Sequence, residues 1–145
     1  MWHRIGDVGY LDSDGLLWFC GRRAHIVNTR SGRMFSVCCE AIFENHPDVY
    51  RAALVGVGPA EDERPVIVIE PEAGRFPGSS DAEAKFRQAL QELATSSPLT
   101  QQIEDVLFHR SLPVDTRHNV KIQRETLKEW AGSHLNTYLR TRRRK

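Results

Sequence analysis

The sequence predicts an α+β domain: an amino-terminal β-hairpin, then a small mixed sheet of about three strands flanked by helices. Three observations predict it. Apolar residues alternate across residues 8–20, two later runs are rich in β-branched residues, and two further segments carry apolar residues at helical spacing. With 145 residues and 40% hydrophobic content, the chain can bury one modest core. No run approaches the roughly 18 apolar residues of a membrane span.

The first element is the hairpin, from Ile5 to Arg22. Val8, Tyr10, Leu16, Trp18 and Cys20 recur at even spacing around Asp12-Ser13-Asp14-Gly15, a turn cluster in which Gly15 takes positive φ at little cost. Gly6-Asp7 and Gly21-Arg22 bracket the ribbon, so Asp7 and Arg22 meet at its open end, by default as a surface ion pair. Ile26-Val27 and a polar link from Asn28 to Gly32 follow. A helix is then expected from Ser36, in the N-cap position, to Asn45, with Val37, Cys38, Ala41, Ile42 and Phe43 as its apolar side.

Val49 to Val57 and Val66 to Glu70 read as neighbouring strands joined by a polar connection over residues 58–65. Gly74 to Ser80 is a linker. Ser80-Asp81-Ala82-Glu83 matches a capping box, and Ala82, Phe86, Ala89, Leu90 and Leu93 share one face of a helix that ends between Thr95 and Pro98. Asp105 to Phe108 forms another short strand. Beyond it, Pro113, Asp115, Thr116 and Asn119 predict an exposed loop that carries Lys121 and feeds a short helix, with Leu127, Trp130 and Ala131 as its apolar stripe.

Composition excludes several classes. Twenty Lys and Arg against 19 Asp and Glu give a net charge of +1, which offers no electrostatic reason to expect nucleic acid. Residues 134–145, ending in Arg142-Arg143-Arg144-Lys145, read as a solvated, disordered basic tail, with an anion-binding or localisation patch as the other reading. Three cysteines, two of them adjacent, make no disulfide framework and suit a reducing cytoplasm. Cys38 and Cys39 read as small core or boundary residues. The six histidines show no pair at helical ligand spacing and no Cys-x-x-Cys exists, so no metal site is expected. A Gly-x-Ser-x-Gly elbow is also missing, which argues against a self-contained hydrolase. Met1-Trp2-His3-Arg4 opens no signal peptide.

Read together, the two ends carry a resemblance. Gly6-Asp7-Val8-Gly9-Tyr10-Leu11-Asp12-Ser13-Asp14-Gly15, continuing through Trp18-Phe19-Cys20-Gly21-Arg22, resembles the paired motifs closing the large domain of AMP-forming acyl-adenylating enzymes, the acyl-CoA synthetase and luciferase superfamily. Pro113 to Arg124, with Thr116-Arg117 and Lys121-Ile122-Gln123-Arg124, resembles that family's carboxy-terminal motif. The resemblance implies that residues 1–23 end a large amino-terminal domain and residues 24–133 form a small lid domain. It implies that Asp7 holds the ribose hydroxyls of ATP or AMP, that Arg22 contacts the nucleotide, and that Lys121 reaches the acyl carboxylate and α-phosphate during adenylation. Glu40 falls where the family opens the first helix of the mobile domain and is expected to be structural.

Departures narrow the resemblance. Ala24 replaces the usual hinge Asp or Lys, Val27-Asn28 replaces Ile-Lys in the loop lining a pantetheine tunnel, and His118-Asn119-Val120 replaces a shorter Ser-Gly. In these features the chain most resembles the β-lactone synthetases of bacterial long-chain olefin biosynthesis. That implies activation of a β-hydroxy fatty acid by ATP, with magnesium bound by residues of a preceding domain, and ring closure by the substrate's own hydroxyl. Expected partners are that domain, the nucleotide, the fatty acyl substrate and other olefin-biosynthesis enzymes. Met1 is then an artificial start, and these residues alone are expected to be inactive. A fatty acyl-CoA or acyl-AMP ligase is the alternative, and a non-catalytic interaction module with a basic docking tail is the second alternative.

Overall fold

The computed structural model describes residues 6–117 and 121–142. Strands β1 (Asp7–Leu11) and β2 (Leu17–Arg22) form the expected hairpin, with Asp7 opposite Arg22 and Tyr10 opposite Trp18. Asp12 organises its turn. One carboxylate oxygen accepts the N–H groups of Asp14 and Leu16 at 3.0 and 2.9 Å, and the other accepts the Trp18 indole N–H at 2.7 Å. Gly15 has φ 79°, the left-handed conformation the turn requires.

A 3-10 turn (Arg23–His25) leads into a second, very short hairpin, β3 (Val27–Thr29) and β4 (Gly32–Met34). This corrects the expected polar link over Asn28 to Gly32. Two three-residue strands are too short to show alternation, and distant contacts stabilise them. Val27 and Met34 are buried, while Glu63 accepts the Asn28 N–H at 2.9 Å and donates its own N–H to the Asn28 carbonyl at 2.9 Å.

Helix α1 (Ser36–Phe43) starts one residue earlier than a Ser36 cap would place it, because Phe35 is the N-cap and supplies no side-chain bond. Gly21 lies against Ser36 so closely that a Cβ there would come within 2.8 Å of the hydroxyl. Ser36 therefore serves packing between hairpin and helix rather than capping. Its inward residues are Ser36, Cys39, Glu40 and Phe43, so of the apolar side expected from sequence only Phe43 is fully inside.

Strands β5 (Val49–Val57), β6 (Arg64–Pro71) and β7 (Asp105–Phe108) form a mixed sheet in the order β5-β6-β7. β5 and β6 are antiparallel; β6 and β7 are parallel and joined by a crossover through helix α2 (Ser80–Thr95). Central strand β6 is buried on both faces. Ile67 and Ile69 join Phe43, Leu54, Leu90 and Ala94 under α1 and α2, whereas Val66 and Val68 join Ala53, Val55, Leu127 and Ala131 under helix α3 (Arg124–Arg142). The period-2 alternation of one apolar strand thus supplies two cores.

Two helix ends differ from expectation. The α2 cap is Ser79, whose hydroxyl accepts the Ala82 N–H at 3.2 Å; the capping box read at Ser80 is displaced by one residue, and Glu83 pairs with Arg87. The helix after the Pro113 loop has 19 residues rather than being short, and it corrects the disordered tail expected from residue 134. Leu135 is only 3% exposed, and Tyr138 and Leu139 pack on the same core, so burial outweighs the polar composition there. Residues 143–145 lie outside the described residues. Leu135→Ala is expected to lower stability by roughly 2–5 kcal/mol in urea unfolding; an unchanged midpoint would mean that the helix end contributes nothing to the core.

Candidate functional site

The open end of the first hairpin carries one candidate pair. Arg22 Nε lies 3.5 Å from an Asp7 carboxylate oxygen, with the side chains 50% and 37% exposed. A loose, wet pair of this kind is worth about 0–1 kcal/mol, so either partner is readily given up to a ligand. Beside it Gly6, Arg22, Arg23 and Ala24 border an open hollow of about 510 Å³.

Lys121 leaves the other end of the described chain from a loop that closes on itself. Val114 bridges Ile122, the Asp115 N–H donates to the Lys121 carbonyl at 2.9 Å, and the Gln123 N–H donates to the Pro113 carbonyl at 2.8 Å. The backbone is thereby held on both sides of a side chain that stays exposed and makes no hydrogen bond or ion pair with another described residue. His118-Asn119-Val120 lie outside the described residues.

Three residues beyond Lys121, Arg124 fixes the loop to the body of the domain. Its guanidinium takes both Glu40 carboxylate oxygens, at 2.5 and 3.1 Å, and donates to the Leu54 carbonyl at 3.1 Å. Glu40 in turn accepts the Leu54 N–H at 2.8 Å. β5 is the edge strand, so these side chains satisfy outward backbone groups that no neighbouring strand can reach. Glu44 does the same for the Ala52 N–H at 3.2 Å. The structural role expected of Glu40 is this clasp.

Between the clasp and the hairpin runs a groove of about 490 Å³, to which Arg22, His25, Glu40, Lys121 and Arg124 all contribute. Arg22 and Lys121, far apart in sequence, therefore line one groove; Asp7 reaches it only through its pairing with Arg22. His25 was not among the residues singled out from sequence. Burial, and then the positive charges of Arg124 and Arg22, hold its imidazole below the usual histidine range, with Glu40 opposing and Lys121 adding least. A signal for the clasp was present in sequence: Glu40 shares the inward face with Ser36 and Phe43 at helical spacing, and a buried carboxylate demands a cation.

The three cysteines form no disulfide. Burial, with the neighbouring Cys20 thiol, pushes Cys38 up to about 11, and burial pushes Cys39 up to about 12. Among the described residues no three His, Cys, Asp or Glu side chains converge on a metal position, and no helix is long and apolar enough to cross a membrane.

No protein-family model matches the chain. Over 130 residues it is 45% identical to an olefin beta-lactone synthetase of Xanthomonas campestris, which covers 90% of this chain and 23% of that protein. An olefin beta-lactone synthetase of Stenotrophomonas maltophilia is 41% identical over 133 residues, 92% of this chain and 23% of its own. Among solved structures, an anthranilate CoA ligase in complex with anthranoyl-AMP superimposes with a TM-score of 0.74 at 22% identity, over 91% of this chain and 25% of the ligase, a likeness of fold. The chain thus spans about a quarter of the length of the relatives it matches.

The clasp yields one expectation. Arg124→Met leaves the Glu40 carboxylate buried without its cation and is expected to cost about 3–5 kcal/mol in denaturant unfolding, where a loss within experimental error would show that the pair is dispensable. Histidine yields another. His25 and, chiefly through burial, His109 are held below their usual range when folded, so the unfolded chain binds more protons as pH falls through about 6.5. Stability should be full above that value and decline below it, and His25→Gln should flatten part of the decline between pH 7.5 and 5.5.

Proposed function

We propose, for a chain that belongs to the AMP-forming acyl-adenylating ligases and carries their carboxy-terminal domain, that it completes a longer enzyme. That enzyme activates a β-hydroxy fatty acid with ATP and releases the acyl group as a β-lactone. In this reading residues 1–23 end a preceding nucleotide-binding domain, residues 24–133 form its lid, and the α3 helix extends the lid through Arg142. The exposed Leu11, Leu17, Trp18 and Phe19 of the first hairpin support this division, since a solvated ribbon rarely presents so much apolar surface unless another surface covers it.

One observation carries the reading: Arg22 and Lys121 share a groove, and Lys121 projects into it exposed and unengaged by any described residue. Asp7, half-exposed and only loosely held by Arg22, has two carboxylate oxygens to accept the two ribose hydroxyls. Arg22 then faces the nucleotide. Lys121 brings its ammonium to the acyl carboxylate and α-phosphate, where negative charge grows as the carboxylate oxygen attacks phosphorus and pyrophosphate leaves. The bound magnesium of such reactions neutralises phosphate charge.

Ala24 at the hinge, where many relatives carry Asp or Lys, and Asn28 in β3, where thiol-accepting relatives often carry Lys, support intramolecular closure over transfer to a thiol, because the substrate's own hydroxyl needs no second substrate brought to the carbonyl. In the full-length enzyme, Lys121→Ala is expected to slow pyrophosphate exchange about 10²–10³-fold with ATP affinity nearly intact. A parallel loss of ATP affinity would overturn the role given to Lys121. Product analysis with coenzyme A present completes the test: predominant acyl-CoA would move the reading to a thiol-accepting ligase.

A further inference from the structure

We propose that His25 is the base that takes the proton from the substrate's hydroxyl during ring closure, an inference that rests on the reading above. His25 ends the 3-10 turn Arg23–His25, three residues beyond the last hairpin pair, and is partly buried on the wall of the groove that also holds Arg22 and Lys121. Its imidazole makes no hydrogen bond to another described residue, so neither ring nitrogen is committed to the fold.

The groove's other ionisable groups are poorly suited. Lys121, Arg22, Arg51 and Arg124 are cations with no lone pair to offer. Glu40 is consumed by Arg124 and the Leu54 N–H. Glu44 is engaged by the Ala52 N–H of the sheet edge at 3.2 Å. The charges facing His25 are Arg22 from β2, Glu40 from α1, Lys121 from the loop and Arg124 from α3. Three cations against one already paired carboxylate disfavour the imidazolium, so the ring is neutral near pH 7 and a proton taken up is readily passed to solvent.

The step balances without a further reactant. An imidazole nitrogen accepts the hydroxyl proton as the hydroxyl oxygen bonds to the acyl carbon. The acyl carbon–oxygen bond to phosphate then breaks, and its electron pair leaves with AMP. Lys121, placed for the preceding adenylation, lines the same groove and stabilises the departing phosphate.

The test uses the full-length enzyme with ATP and a β-hydroxy fatty acid, measuring pyrophosphate exchange and single-turnover lactone formation separately. His25→Ala is expected to leave exchange within about threefold while lactone formation falls about 10²–10⁴-fold and acyl-adenylate accumulates. His25→Gly should regain lactone formation with added imidazole, a response that loss of a merely structural side chain does not produce. The wild-type closure rate should fall on the acid side as the imidazole protonates, and His25→Ala should lack that limb. Lactone formation unchanged in His25→Ala, an equal loss in both steps without imidazole rescue, or a closure defect in Glu44→Gln in its place would overturn the inference. A wild-type enzyme that exchanges pyrophosphate but makes no lactone would instead overturn the lactone reading itself, and the role of His25 with it.

Discussion

The bidentate pairing of Glu40 with Arg124 is the constraint on which the arrangement depends. It joins α1, from one face of the sheet, to the first turn of α3, which covers the other, around the exposed edge of β5. Both outward backbone groups of Leu54 are satisfied by the same two side chains. Few interactions answer so many demands at once: a buried charge on each partner, an unpaired sheet edge and the start of a helix.

That clasp also sets the geometry of the groove. Arg124 lies three residues after Lys121, and the backbone bonds from Asp115 to Lys121 and from Gln123 to Pro113 tie the residues before and after the ammonium to each other. In the same groove, the approach of Gly21 to Ser36 brings the hairpin against α1 and delivers Arg22 and His25. The long Lys121 side chain thus projects from a backbone held at the described residues beside it. A cation that must meet a developing charge benefits from such an arrangement, because little reorganisation is left for the moment of reaction.

Where pattern alone decides structure, sequence and structure agree closely. The Asp12-Ser13-Asp14-Gly15 turn, the full extent of β5 and the bounds of β7 all follow from alternation, β-branching and turn chemistry, which act over a few residues. Disagreement appears wherever a distant partner sets the outcome. β3 and β4 depend on Glu63, the α1 face turns on a buried carboxylate, and the continuation of α3 past residue 134 depends on Leu135 entering the core. Ser79 rather than Ser80 caps α2 for a smaller reason: two adjacent serines offer the same chemistry, and backbone geometry alone selects between them.

The sequence by itself determined the α+β class, the hairpin with Asp7 facing Arg22, and a loop that exposes Lys121, since each rests on the conformational preferences of neighbouring residues. Only the tertiary structure decided that Arg22, His25 and Lys121 border one groove, and that Glu40 finds Arg124 across 84 positions of chain. Such meetings depend on how helices pack across a sheet and how its edge is closed, and no local periodicity records them.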